Sequence, residues 1–532
     1  MKSSFIHLND LPDEILIYIL KKLDNFQVLY SLIGVNDRLN KIANDSIFTN
    51  NLTLMKYLSN DSIYPLANST LDRLCSKILP LIHNKIEWLN IESSSIKRIL
   101  LVTNYPNLHG IGLYNINMKK FLSLFTDKLS LICIDKNEIL SLVIDITKNK
   151  KTKFPSREDN TFVFTNIFTI FKNLKYLNFG PFLNWYQEIS FIFTPPTVIS
   201  SNLLELHLSV VNFLDCLYLL DGRFNKLHTF YVHISSIGFQ DIKIDNKDKL
   251  PNLRCFSLHC DSIINNFEQL ILTLIYRMLN LEKLELNVNI SMTTTIIDGN
   301  YLKTNILNHM IQLNKFTFNI HSRFGLRNQI YFPSNENIQH TFNNFKNNKI
   351  ISCIDYYPKN QYGQCHIYSY PYRLKYYKHI TNNFPGGLLK YVQDIYLFDR
   401  YPFEHEFFLQ ISQSFPFVKK INLRNYQPQN NKLYTESNKD NQDLPIIKYP
   451  HLTDLTLNLV NDDYVEQFLL NRRTCLPNTV ELIIGYEQLK RVTHNFTSNT
   501  TRINCAKLSS LCMLADEIPK YVKDYFPHTK IY

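Results

Sequence analysis

The sequence predicts an α/β protein in which a short all-helical start leads into a horseshoe-like solenoid of parallel strands. Three observations carry this expectation. Apolar residues recur at helical spacing through the first fifty positions, a seven-residue apolar element then repeats along the chain, and prolines stand between the helical and extended parts of several repeats. At 532 residues the chain exceeds what one closed core supports, so an extended array or several modules are required.

The helical start opens at Leu8-Asn9-Asp10-Leu11-Pro12-Asp13-Glu14-Ile15-Leu16. Asp10 can cap free backbone N–H groups, Pro12 is tolerated in a first turn, and Asp13 and Glu14 suit the positive end of a helix. Ile15, Leu16, Ile19, Leu20 and Leu23 follow at helical spacing. Asp24-Asn25 breaks the pattern. Val28, Leu29, Leu32 and Ile33 make a second apolar face, and Val35, Leu39 and Ile42 a third beyond Gly34. Three such short helices cannot bury a core alone, so the module is expected to pack on something else.

Leu11-Pro12-Asp13-Glu14-Ile15-Leu16, Ile19-Leu20, Leu23-Asp24, Val35-x-x-Arg38-x-x-x-Ile42 and Ile47-Phe48 together resemble the F-box motif. Asn36 and Leu39 stand where many members carry Ser and Trp. The resemblance implies docking to the Skp adaptor of cullin–RING ubiquitin ligases, with Leu11, Pro12, Ile15, Leu16, Leu20, Leu32 and Val35 as adaptor-binding residues. It places the F-box module at 1–54, with a linker helix and solenoid cap over 55–84. The cap helix is expected to be capped by Ser69 or Thr70 and to bury Leu71, Leu74, Cys75, Ile78 and Leu79.

From residue 85 onward the element x-L-x-x-L-x-L, with any large apolar residue at L, recurs thirteen times. Its first apolar position falls at Ile86, Leu108, Ile139, Leu174, Leu203, Leu227, Leu253, Leu281, Leu313, Val392, Val418, Leu452 and Thr479. Steps run from 22 to 35 residues except for 79 between Leu313 and Val392. For the third copy, Leu129-x-x-Ile132-x-Ile134 matches as well as Ile139-x-x-Leu142-x-Ile144, and the second gives the more even spacing. Between copies lie helical patterns such as Phe267, Leu270, Ile271, Leu274, Ile275 and Met278. Pro106, Pro251, Pro416, Pro450 and Pro477 then stop helix continuation ahead of the strand. The unit resembles a degenerate leucine-rich repeat of the longer, helix-bearing kind. The asparagine that family carries three residues beyond the last strand leucine is present at Asn289 but not at Phe182, His321, Tyr426 or Val460.

In each unit the residue between the last two apolar positions should face away from the helices. These are Asn90, Gly112, Val143, Asn178, His207, Tyr231, Ser257, Glu285, Thr317, Tyr396, Asn422, Thr456 and Ile483. The row is mixed and nearly neutral, which suits recognition of a protein. Asn178, His207, Tyr231 and Glu285 are its candidate substrate-binding members. The interruption at about 320–390 predicts an insertion, whose tyrosines Tyr368, Tyr370 and Tyr372 either pack on the solenoid or form a substrate-binding ridge. Residues 425–448 read as a mobile polar loop.

Other function classes find less support. The net charge of +11 raises a nucleic-acid reading, but the lysines are dispersed, and only Lys148, Lys150, Lys151 and Lys153 cluster, in what reads as a solvated loop. Phosphate-cradling and nucleophile-elbow motifs are absent from the sequence, and Glu404-His405-Glu406 reads as a helix start, so no catalytic residue, metal or cofactor is assigned. Ten scattered cysteines without a C-x-x-C pair read as reduced thiols of a cytoplasmic or nuclear protein, and the chain has no long apolar run for a membrane. The expected function is a non-catalytic substrate receptor of a cullin–RING ligase, with a protein target bound by the repeats. The alternative is a repeat-based protein-binding scaffold without a ubiquitin role.

Overall fold

The computed structural model describes residues 11–57, 63–126, 134–146, 156–181, 185–192, 198–238, 249–293, 295–326, 332–343, 345, 349–430, 445–514, 519 and 521–532. Asp10, the lysine cluster at 148–153 and most of the 425–448 loop lie outside them. The fold is mixed α/β, built on large, mostly parallel sheets. Among the described residues no helix is long and apolar enough to cross a membrane. The chain divides into two compact units: residues 1–291 with 302–320, and residues 292–301 with 321–532.

The first unit begins with α1 (Asp13–Leu20), α2 (Asn25–Leu32), α3 (Asp37–Ala43) and α4 (Ser46–Thr49). Leu16, Leu20, Val28, Leu29, Leu39, Ile42 and Phe48 fill the space between them. Asn36 caps α3 by accepting the Leu39 N–H at 2.8 Å, the task a serine would perform there. Arg38 ties α3 to α1 through Asp13 at 2.7 Å and through the Leu11 carbonyl. The module is also tied to the first strand and to the cap helix. Asn25 donates to the Asn51 carbonyl at 2.9 Å, and the Arg73 guanidinium lies 4.6 Å from the Tyr30 ring centre while donating to the Ile33 carbonyl. The cap helix starts at Asn68 behind Ala67, so Ser69 and Thr70 lie inside it rather than capping it, and it passes through one wider turn at Leu74–Ile78.

Among the described residues eleven strands come next, the last two running past the unit's bounds: β1 (Asn51–Tyr57), β2 (Ile63–Pro65), β3 (Trp88–Glu92), β4 (Gly110–Ile116), β5 (Ser141–Ile146), β6 (Tyr176–Phe179), β7 (Glu205–Asn212), β8 (Thr229–Ser236), β9 (Cys255–Ile264), β10 (Lys283–Thr293) and β11 (Lys315–Gly325). From β3 onward each strand neighbours the next in sequence, and all pairs from β3 to β10 are parallel. β1 was not expected. It falls where the helical module was placed up to residue 54, yet pairs in parallel with β3, because Leu52 and Leu54 repeat the two-residue alternation and are buried. β5 carries Leu142 and Ile144, as the more even spacing of the third repeat implies, while Leu129 and Ile132 of the other reading lie outside the described residues.

The repeated apolar positions form two ladders. Leu89, Ile111, Leu142, Leu177, Leu206, Phe230, Phe256 and Leu284 are register partners from strand to strand, and so are Ile91, Leu113, Ile144, Phe179, Leu208, Val232, Leu258 and Leu286. All are buried. Stacking is therefore what completes each repeat's core, since a lone strand and helix would leave one side of every ladder residue wet.

A further ladder is polar and was not expected from the sequence. Asn107, Asn173, Asn202, Asn252 and Asn280, each directly before the first apolar residue of a repeat, donate from Nδ2 to the carbonyls of Asn84, Asn137, Lys172, Asn225 and Pro251. Each bond satisfies a turn carbonyl of the preceding repeat. Asn280→Ala should lower unfolding stability by about 1 kcal/mol. An unchanged denaturant midpoint would show that water replaces the bond without cost.

The second unit takes in residues 321–325 of β11, the hairpin β12 (Lys349–Tyr357) and β13 (Tyr362–Tyr370), then β14 (Tyr376–Ile380), β15 (Asp394–Phe398), β16 (Lys420–Arg424), β17 (Ile447–Lys448), β18 (Asp454–Leu457), β19 (Thr474–Cys475), β20 (Val480–Gly485), β21 (Leu508–Leu514) and β22 (Lys530–Ile531). β14, β15, β16, β18, β20, β21 and β22 form a parallel sheet in that order, with β17 and β19 paired separately. Ile395, Ile421, Leu455, Leu482 and Leu511 make one of its buried ladders. The hairpin is antiparallel, turning through Gln361 at positive φ.

Candidate functional site

Two surfaces of the first unit collect the sequence-derived site residues. The first is on the helical module. Leu16, Leu20 and Leu32 are turned inward, so they shape the module and offer little surface to a partner. Leu11 is half-buried and Pro12 exposed, while Ile15 is 47% and Val35 58% exposed. Tyr18, Ile19 and Leu23 join them on the outside. Ile15 and Ile19 stand one four-residue step apart on α1 and so share a face, and Leu23 follows in the turn beyond the helix. The sequence pattern placed Ile15, Leu16, Ile19, Leu20 and Leu23 on one face; the fold divides them, because the segment is apolar on both sides. Only the packing of α2 and α3 decides which side is core.

The second surface is the sheet face turned away from the buried ladders. Asn90, Gly112, Val143, Asn178, His207, Tyr231, Ser257 and Glu285 are strand-to-strand register partners, extended on one side by Thr53 of β1. Thr317 of β11 is half-buried. In the second unit Tyr396, Asn422, Thr456 and Ile483 form an equivalent row, continued by Cys512.

The row in the first unit changes character along its length. At its start Trp88 Nε1 donates to Asn90 Oδ1 at 2.8 Å, and Asn90 Nδ2 donates to Thr53 Oγ1 at 3.1 Å. Gly110 and Gly112 make this arrangement possible, since a Cβ on either would collide with the Trp88 ring or with the Asn90 amide. Met55, Ile63, Tyr114 and Val143 form a small buried cluster on this face, with Trp88 and Tyr176 against it. Val143 and Gly112 are thus covered rather than exposed.

Asp145 is buried beside that cluster. Its Oδ2 accepts the Asn115 N–H at 3.1 Å, and its Oδ1 has no hydrogen-bond partner. Burial pushes this carboxyl up to about 6, against the lowering effect of the Asn115 N–H.

Farther along, three half-buried rings stand on consecutive strands. Tyr176 and His207 are 5.5 Å apart between ring centres, and His207 stacks on Tyr231 at 4.3 Å. His207 Nε2 lies 2.6 Å from Glu205 Oε1. Asn178 is half-buried beside them and Glu285 is exposed. This stretch offers flat ring area next to hydrogen-bonding groups, the combination that supplies contact area at low entropic cost in protein recognition.

Of the two readings of the tyrosines in the second unit, packing describes two of the three and a ridge does not form. Tyr368 and Tyr372 are core residues, packed edge to face at 5.1 Å and each against Tyr377. Tyr372 also donates its hydroxyl to the Tyr376 carbonyl at 2.9 Å. Only Tyr370 of the three is exposed, with the Lys349 ammonium 5.7 Å from its ring centre. Strand alternation does not separate them, since Tyr368 and Tyr370 lie on one face of β13; Tyr370 is exposed because it is at the strand's end, beyond the cover of the core.

His405 is also structural. It is buried, with Nε2 3.0 Å from the Pro445 carbonyl and Nδ1 3.3 Å from Gln467 Oε1. Three histidines of the second unit come together, two of them close to the tyrosines in sequence. His321 stacks on His379 at 4.5 Å between ring centres and lies 5.8 Å from His366. Comparison with protein-family models finds no family that matches the chain, and comparison with curated proteins finds no relative.

Proposed function

We propose that the chain is a non-catalytic substrate receptor of a cullin–RING ubiquitin ligase, docking to a Skp adaptor through its F-box-like helices and holding a protein target on its repeats. The observation that carries this reading is the apolar surface at Ile15, Tyr18, Ile19, Leu23 and Val35 on a module whose interior is already filled. Five exposed large apolar residues on so small a module, three of them within about one turn of α1, favour a protein contact, because scattered exposed residues are common but neighbouring ones are not. The Leu11-Pro12-Asp13-Glu14-Ile15-Leu16 string opens the same helix. Strands that neighbour one another in chain order support a leucine-rich-repeat-like solenoid, whose open face would take the target.

Within that reading Tyr176, His207 and Tyr231 are the centre of the target surface. Each is half-buried and none belongs to the buried ladders, so the pair His207→Ala and Tyr231→Ala should leave the unfolding midpoint close to that of the parent. The same pair should reduce target capture by at least ~10-fold, as loss of central aromatic contacts does. Quantitative co-purification from cells with the proteasome inhibited measures it. Undiminished capture would move the target surface elsewhere, and loss of adaptor binding together with capture would mean the rings serve folding. A chain that holds a target but no adaptor would instead be a binding scaffold.

A further inference from the structure

We propose that His233, His259 and Asp261, on the same sheet face, form a binding site for one first-row divalent cation, with Zn(II) the best match to the donor set. The inference does not depend on the ligase reading.

His233 on β8 and His259 on β9 are register partners, with ring centres 4.5 Å apart. The backbone beneath them is a continuous parallel ladder from Thr229↔Cys255 to Ile234↔Cys260, so the two imidazoles leave a rigid surface side by side. Asp261 reaches them through an irregularity. Against β10, Asn287 pairs with His259 and Asn289 with Ile263, so four steps along β9 match two along β10. The extra residues bulge there, and a bulge re-aims the side chains it carries. The result is convergence: Asp261 Oδ2 is 2.8 Å from His233 Nε2, and its Oδ1 is 3.4 Å from His259 Nε2.

One ligand atom from each of the three side chains lies within 4.8 Å of the others. Ligands of one tetrahedral zinc at bond lengths of about 2.0–2.1 Å are about 3.3 Å apart, so small side-chain rotations close the set. The metal would take the place of the protons now shared between the imidazoles and the carboxylate. On its far side His233 Nδ1 lies 3.4 Å from Ser209 Oγ, an outer contact of the kind that fixes ring orientation in metal sites. Burial works against an ionised Asp261, but the hydrogen bonds and charges of the two histidines outweigh it and hold the carboxyl well below the usual range. Asp261 is 44% exposed, so the site opens to solvent. Three protein ligands leave a coordination position for water or for a carboxylate or imidazole from a bound protein.

The test uses the full chain, stripped with a chelator and titrated with Co(II) and then Zn(II) against a chromophoric competitor. The wild-type protein should bind one equivalent of Co(II) that gives d–d bands without thiolate charge-transfer absorption, and Zn(II) should displace it. His259→Gln and Asp261→Asn should each weaken that site by at least ~10-fold. No uptake by the wild type, an absorption dominated by thiolate, or equal binding by folded variants would overturn the proposal and leave a hydrogen-bonded trio. Should a variant fail to fold, the wild-type Co(II) spectrum decides alone.

Discussion

Acidification from pH 7 to pH 5 should destabilise the second unit by several kcal/mol, through His321, His366 and His379. Burial lowers all three, and their positive neighbours lower them further. His321 falls well below its ordinary value, with His379 and His366 acting on it after burial. His366 falls to about 3, with His379 adding to burial, and His379 to about 4, with Arg323 and Lys378 adding to burial. A histidine held below its unfolded value of about 6.5 must stay neutral for the unit to fold. Its contribution is whole above pH 6.5 and is lost as the pH falls toward 4 and then 3, because the unfolded chain takes up protons that the folded one refuses. For His366 the loss at pH 5 is about 2 kcal/mol, and the half-buried His379 adds roughly 1–2 kcal/mol. Asp355 works in the opposite direction, because burial, outweighing its hydrogen bonds to Gln364, Asn383 and Thr381, raises its carboxyl. A variant is therefore the cleaner comparison. His366→Phe should flatten the fall in stability between pH 7 and 5, read from denaturant unfolding, by about 2 kcal/mol. A variant that keeps the parent's full pH dependence would show that His366 titrates normally.

The double substitution Ile15→Asp with Ile19→Asp should remove adaptor binding, by ~100-fold or more, while leaving the thermal unfolding midpoint nearly unchanged. Both side chains are on the exposed face of α1, so carboxylates there meet water in the free protein. In a complex they would be desolvated without a partner, which costs several kcal/mol. Leu16→Ala makes the contrast. Leu16 is completely buried, so its truncation should cost about 2–5 kcal/mol of stability and affect docking only through unfolding. Titration of purified adaptor by calorimetry, beside thermal melts of each variant, separates the two effects. Full adaptor binding by the double variant would place the docking face elsewhere.

The repeat positions were legible because two apolar residues separated by one other residue leave a strong mark. Leu206-x-Leu208, Leu284-x-Leu286 and Leu455-x-Leu457 could be aligned by eye, and the residues between their apolar positions are register partners of those on the adjacent strands. Packing between elements set the rest. Ile15 and Leu16 are equally apolar, and the choice of which faces inward belongs to α2 and α3. Tyr368 and Tyr370 have the same side chain and the same strand face, and differ only in how far the core extends over them. Asn280 and its equivalents stand in the sequence as Asn-Leu pairs, yet asparagine is common in this chain and only the turn geometry shows which ones donate across repeats. Asp261 joins two histidines through a bulge, and no spacing rule in one sequence foretells where a ladder slips.

The receptor reading is tested most directly by titrating the purified 532-residue chain with purified Skp adaptor. The expected result is a saturable one-to-one complex at micromolar concentration or below, lost in the Ile15→Asp, Ile19→Asp protein and retained in the His207→Ala, Tyr231→Ala protein. Absence of binding by the folded wild-type chain at concentrations well above micromolar would contradict it.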